Sequence, residues 1–201
     1  MAMKKRYKIP LIVFGTLAVF YFILVVIRMF HFYNLDKTNE QVVKIHNTKL
    51  MMDDVIGKNL PPDPGAEADK TVQGVDFNKN GIRDDVELAI FKKYPDSAKT
   101  RAVLLQYALA LQMEAVQTVV NEETVGAIAG VEDGAFFCIT KIVPGTDKQE
   151  NMDIIQKYEN FVLDKQINTD ARKKTRNDFY NKLSSGSIEN RGCDIDIDSL
   201  D

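Results

Sequence analysis

Residues 76–87 read D-F-N-K-N-G-I-R-D-D-V-E, with oxygen-bearing side chains on alternate positions of the run. Asp76, Asn78, Asn80 and Asp84 occupy positions one, three, five and nine, and Glu87 the twelfth. A hard cation such as Ca²⁺ takes roughly six to eight oxygens at ~2.3–2.6 Å, so a short loop must curl around it. Gly81 at position six permits the sharp turn that a Cβ would resist. In such a loop Asp76, Asn78 and Asn80 supply one side-chain oxygen each, and Ile82 its backbone carbonyl. Asp84 binds directly or through water, and Glu87 closes the shell with both carboxylate oxygens. A solvated Asn/Asp/Gly turn capping the next helix shares much of this pattern. Such a turn, however, does not require Glu87. Three acids and two amides make a modestly charged set, so the expected affinity is on the order of 10⁻⁴–10⁻³ M. Asp85 is not at a ligand position, and Asp85→Asn should do little to Ca²⁺ binding.

The run resembles the EF-hand loop, and more closely the calcium loops of thrombospondin type-3 repeats and of bacterial D-x-N-x-N-G-I-x-D-D-x-E segments. The likeness covers about a dozen residues, so it implies Ca²⁺ as the cofactor and no activity. Arg83 stands where the usual loop has an aliphatic residue, with the aliphatic Ile82 one place earlier. Pro61, Pro62, Pro64, Gly65 and Gly74 precede the loop and argue against a full incoming helix. Residues 61–110 together, from the P-P-D-P-G segment onward, resemble small bacterial membrane-anchored proteins.

The elements around the loop begin with a membrane anchor. Residues 9–27 form an uncharged apolar run of 19 residues, long enough as a helix to cross a ~30 Å hydrocarbon core. The following R-M-F-H-F-Y lacks the small residues of a signal-peptide cleavage site. Lys4, Lys5, Arg6 and Lys8 precede the span and only Arg28 follows it closely, so residues 1–8 should stay in the cytoplasm. Tyr7, Phe30, Phe32 and Tyr33 are candidate interfacial anchors. The expected arrangement is a single-pass bacterial inner-membrane protein that contacts the bilayer through residues 9–30 and places its C-terminal domain in the periplasm. Five of the 26 basic residues lie before residue 34, with no acid among them, leaving 21 against 29 acids in the exported part. Such a surface disfavours nucleic acid.

The fold expected from periodicity is all-α. A juxtamembrane helix should lie within 31–60, opened by a capping box at Thr38–Gln41. A stiff Pro-rich linker over 61–75 should hold the loop away from the bilayer. Residues 76–186 should form a bundle of about five helices. The first leaves the loop at Asp84 and stops before Pro95, and the second is capped by Asp96 or Ser97 and runs through Val120. That second helix carries a stripe of Val103, Leu104, Tyr107, Leu111, Ala115 and Val119. A third starts at Asn121 and carries Gly126, Gly130 and Gly134, with an expected break near Asp133. After a Pro144-Gly145 turn, a fourth runs from Thr146 to about Gln166, with Met152, Ile155, Tyr158, Phe161 and Val162 inward. The last is capped by Thr169, turns Lys173, Lys174 and Arg176 outward, and is closed by Gly186. Residues 187–201 read as an acidic extended tail.

Cys138 and Cys193 are the only cysteines. On the exported side they are expected to form a disulfide, though two buried free thiols remain the alternative. No nucleophile–base pair, phosphate-binding glycine loop or zinc motif is recognisable, so an enzyme is not expected. The expected role is that of a calcium-binding envelope protein that engages another envelope protein. A calcium-responsive sensor is the alternative, and an enzyme with no recognisable motif a more distant one.

Overall fold

The computed structural model describes residues 8–143, 145, 147–183 and 192–200. Among the described residues the structure is all-helical, with seven α-helices, two 3₁₀ turns and no strand. The chain divides into two compact units, Met1–Glu40 and Gln41–Asp201. Lys4, Lys5, Arg6, Tyr7, Pro144, Thr146, Gly186 and the start of the expected tail lie outside the described residues.

The described residues of the first unit lie in one long helix. Helix α1 (Lys8–Asn47) has Pro10 in its opening turn, where a missing N–H costs nothing. Its apolar window has a mean hydropathy of 2.4 and no buried residue, so it is long and apolar enough to cross a membrane. The expected separate juxtamembrane helix is not present. Residues 28–47 contain no Gly or Pro to interrupt the span's helix, and Thr38 Oγ1 donates back to the Asn34 carbonyl (2.9 Å) in mid-helix rather than capping a start.

The second unit begins in the last turns of α1, where Ile45 enters the core. A four-residue helix α2 (Met52–Val55) follows, and its first turn is closed by Asp54 Oδ2 accepting from the Met51 N–H (2.9 Å). The segment expected as a stiff spacer instead packs on the domain. It contains a 3₁₀ turn (Gly65–Asp69), buries Pro61 and Ala68, and is tied down by long polar side chains described below.

Helices α3 (Asp84–Lys93), α4 (Ala98–Val116), α5 (Glu122–Lys141), α6 (Lys148–Gln166) and α7 (Asp170–Tyr180) complete the unit. Their starts follow ordinary capping chemistry. Ser97, Asn121, Asp147 and Thr169 each accept a backbone N–H from the first turn of the helix they precede.

Helix α4 is not the one-sided amphipathic helix that periodicity suggests. Every residue from Thr100 to Glu114 is buried, because α2, α3, α5, α6, α7 and the 3₁₀ turn Ile197–Ser199 all pack on it. The helix also ends at Val116, so Val119 belongs to the following turn. Helix α5 runs unbroken past Asp133, with Gly130 and Gly134 buried. The glycines' intrinsic cost of about 1 kcal/mol each is outweighed there by burial against α4. On α6, Ile155 and Val162 are core residues, whereas Met152 is 46 % exposed.

Candidate metal-binding loop

The loop begins where the backbone first curls. Lys79 (φ 58°) and Gly81 (φ 84°) both adopt left-handed conformations. For Gly81 this is the glycine-specific requirement, and a Cβ there would lie 2.7 Å from Leu109 Cδ1 on α4. The curl turns four backbone N–H groups onto side-chain oxygens of the same loop. Asp76 Oδ1 accepts from Asn80 N–H (3.1 Å) and Asp76 Oδ2 from Gly81 N–H (3.0 Å). Asn80 Oδ1 accepts from Ile82 N–H (2.9 Å), and the Asp84 carboxylate from Phe77 N–H (3.0 Å). The Asp84 N–H donates to the Val75 carbonyl (2.9 Å) and closes the loop's base.

Each residue expected as a ligand has a defined place. Asp84 and Glu87 lie in the first turn of α3 and are 0 % and 1 % exposed. The Ile82 side chain is fully buried in the core, as the loop pattern requires. Asn78 Nδ2 donates to Glu87 Oε2 (3.1 Å), which joins positions three and twelve. Asp76, Asn78 and Asn80 line an open cavity of ≈ 780 Å³ together with Asp54 of α2.

The electrostatics of the loop are those of buried, uncompensated acids. Burial raises the Glu87 carboxyl to about 7, against the hydrogen bonds from Asn78 and Asn80, and nearby Asp54 and Asp84 raise it further. Burial also raises Asp84, opposed by the Phe77 N–H and reinforced by Asp76 and Asp85. Among the described residues, no Lys or Arg forms an ion pair with Asp76, Asp84 or Glu87. Two fully buried carboxylates without a cation are costly. Among the described residues, no three His, Cys, Asp or Glu side chains gather into a group able to hold a metal. The oxygens that do come together are a mixed set of carboxylates and amides, which suits a hard oxygen-seeking cation and not a transition metal.

Arg83 explains the loop's departure from its usual pattern. Its side chain is fully buried and forks onto Asp85, with Nε to Oδ1 at 2.7 Å and Nη2 to Oδ2 at 2.6 Å. It also donates to the last carbonyls of α6, from Nη1 to Gln166 O (3.0 Å) and from Nη2 to Lys165 O (2.9 Å). The loop is thereby fastened to a helix C-terminus. Asp85 is not a bystander, as its position in the loop suggests. It holds the charge of a buried arginine.

Two more buried arginines serve the irregular stretch around the loop. Arg172 of α7 pairs with Asp69 (2.6 Å) and donates to the carbonyls of Ala68, Thr71 and Val72. Arg101 of α4 donates to Val55, Tyr94 and Pro95 carbonyls. Gln112 of α4 adds a bond to the Gln73 carbonyl (2.7 Å). These side chains give the backbone of a helix-poor segment partners it would otherwise lack.

Arg176 also departs from expectation. It is half-buried and joins Glu114 and Glu132 (2.9 Å to the latter), while the Tyr180 hydroxyl donates to Glu132. Burial, followed by repulsion from Glu132, raises Glu114 to about 8, and Arg176 opposes both.

The cysteines meet as expected. Cys138 on α5 and Cys193 are bonded, with Cα atoms 5.5 Å apart. The bond holds a tail segment that is also fixed by polar contacts. Gln106 of α4 donates to the Gly192 carbonyl (3.2 Å) and accepts from the Asp194 N–H (3.0 Å), and Asp194 Oδ2 accepts from the Leu50 N–H (3.0 Å). Residues 192–200 of the expected tail are therefore tied down at Cys193, and Ile197 is buried against α4. No protein-family model, curated protein or solved structure matches the chain.

Proposed function

We propose that the chain is a membrane-anchored calcium-binding envelope protein with a structural and interaction role. Ca²⁺ would be held by Asp76, Asn78, Asn80, Asp84, Glu87 and the Ile82 carbonyl. The observation that carries this reading is the pair Asp84 and Glu87, fully buried acids at loop positions nine and twelve with no Lys or Arg ion pair among the described residues. When bound, a divalent cation supplies the positive charge that those carboxylates lack. The chain's own residues do the rest. Gly81 and Lys79 curl the backbone, Arg83 fastens it to α6, and the first turn of α3 presents Asp84 and Glu87 from a rigid element.

In this reading the N-terminal residues 1–8 lie in the cytoplasm of a bacterium, residues 9–30 cross the inner membrane, and α3–α7 form an exported five-helix bundle in the periplasm. The partner is another envelope protein. Calcium has a local structural effect, fixing the junction between residues 61–75 and the bundle. The buried arginine clamps and the disulfide support this over a sensor, because they restrain the elements a sensor would have to move. Circular dichroism and limited proteolysis with and without chelator test the choice. Unchanged helicity with new cleavage confined to residues 56–83 is expected, and a chelator-induced loss of helix packing throughout would favour a sensor. A reporter fused after Asp201 should be active only outside the cytoplasm.

A further inference from the structure

The two amide ligands of the loop present a problem that the loop alone does not solve. An asparagine side chain carries one acceptor oxygen and one NH₂ donor. For the oxygen to face a cation, the NH₂ must be held elsewhere, or the amide is free to turn its donor inward. Both NH₂ groups bond the Glu87 carboxylate, and both are also held by one segment outside the loop. Asn78 Nδ2 donates to the Asn59 carbonyl (3.0 Å), and Asn80 Nδ2 donates to Asp54 Oδ1 (3.4 Å). Correspondingly, both amide oxygens point back into the loop, where Asn78 Oδ1 accepts from Asn80 N–H (3.3 Å) and Asn80 Oδ1 from Ile82 N–H.

Asp54 is itself oriented. Its other oxygen, Oδ2, accepts from the Met51 N–H at the start of α2, which leaves Oδ1 directed at Asn80. The neighbouring Asp53 lines the same cavity but is paired with Lys58 at 2.7 Å. The two acids of α2 therefore have different partners, one on the surface and one on the loop.

Resting on the calcium reading above, we infer that Asp54 is a positioning residue of the metal site: it holds the Asn80 amide so that its oxygen is presented to the ion, and α2 thereby takes the place of the incoming helix that this loop lacks. Groups that orient metal ligands from outside the coordination shell typically cost about 10–100-fold in affinity when removed. The shared amide contacts also make α2 part of the site although it lies more than 20 residues away in sequence.

A double-mutant cycle on the full chain in detergent, read by calorimetric Ca²⁺ titration, tests this. Asp54→Ala should weaken Ca²⁺ binding by about tenfold. Asn80→Asp removes the NH₂ group, so in that background Asp54→Ala has no amide to release and should not weaken binding. Asp53→Ala should change affinity by less than about twofold, the effect of an exposed charge. An equal loss from Asp54→Ala in both backgrounds would mean that Asp54 acts only through its charge or through capping α2, and would overturn the inference. If the wild-type chain binds Ca²⁺ and Asp54→Ala binds it equally well, the inference fails while the site assignment stands. Absence of Ca²⁺ binding by the wild type would remove both.

Discussion

Replacing Arg83 by Met should destabilise the second unit by about 3–5 kcal/mol, the cost of breaking a buried ion pair by removing one partner. The structure shows where this arises. Arg83 is fully buried and makes four polar contacts, two to Asp85 and two to the carbonyls of Lys165 and Gln166. Methionine fills much of the volume but leaves both carbonyls without these donors, at about 1–3 kcal/mol for each group that stays dry. The Asp85 side chain, 27 % exposed, recovers part of its solvation and limits the total. Lysine should not rescue the site, because a single ammonium cannot fork onto Asp85 and still reach two carbonyls. Asp85→Asn should also be destabilising, though less so. Urea denaturation monitored by circular dichroism measures both effects in the solubilised chain. An Arg83→Met loss below about 1 kcal/mol would show that the clamp contributes no net stability and would refute the reasoning.

Gly81→Ala should cost at least about 1 kcal/mol through backbone strain alone, before its Cβ is accommodated 2.7 Å from Leu109 Cδ1; a neutral thermal shift would contradict the left-handed turn. Removing the Cys138–Cys193 bond by a Cys→Ser pair should lower stability by about 4 kcal/mol on the chain-entropy model for a separation of 55 residues. Intact mass after alkylation without reductant should show no adduct on the wild type. Glu114 holds its proton to about pH 8 in the native state, against an ordinary value of 4.5, so the folded chain binds more protons over that interval. Its contribution makes stability fall as pH rises from 4.5 to 8. Oε2 of Glu114 is buried without a hydrogen-bond partner, and Glu132, Arg176, Tyr180, Tyr107 and Glu159 are the titrating or charged groups in its electrostatic surroundings. Glu114→Gln should therefore flatten the decline and stabilise the chain at pH 8; an unchanged pH slope in calcium-free denaturation would contradict it.

The features legible in the sequence are those that depend on local spacing. Position-by-position oxygen donors, Gly81 at the turn, the caps at Ser97, Asn121 and Thr169, and the apolar run of residues 9–27 are all set within a few residues of chain. Cys138 and Cys193 were legible for another reason, being the only two cysteines. What was not legible depends on long-range contact. Arg83, Arg101 and Arg172 carry the signature of solvated surface residues, and only the fold shows that each serves carbonyls on other elements. Helix α4 has an apolar stripe, but its polar residues Gln106, Gln112 and Glu114 also find partners on other segments, so burial extends around it. The Pro-rich segment lacks the periodicity of a packed element. It is nevertheless held down by Arg172, whose acceptors lie some 100 residues away. Asp54 shows the same limit, since nothing in the sequence of α2 connects it to Asn80.

Calorimetric titration of the full chain with Ca²⁺, beside Glu87→Gln, tests the central claim most directly. The wild type should bind one Ca²⁺ with a dissociation constant on the order of 10⁻⁴–10⁻³ M. Glu87→Gln, which keeps the side chain's shape and its contact with Asn78 but removes the buried charge, should show no binding while its helices remain folded by circular dichroism. A Glu87→Gln chain that binds Ca²⁺ as tightly as the wild type would contradict the account.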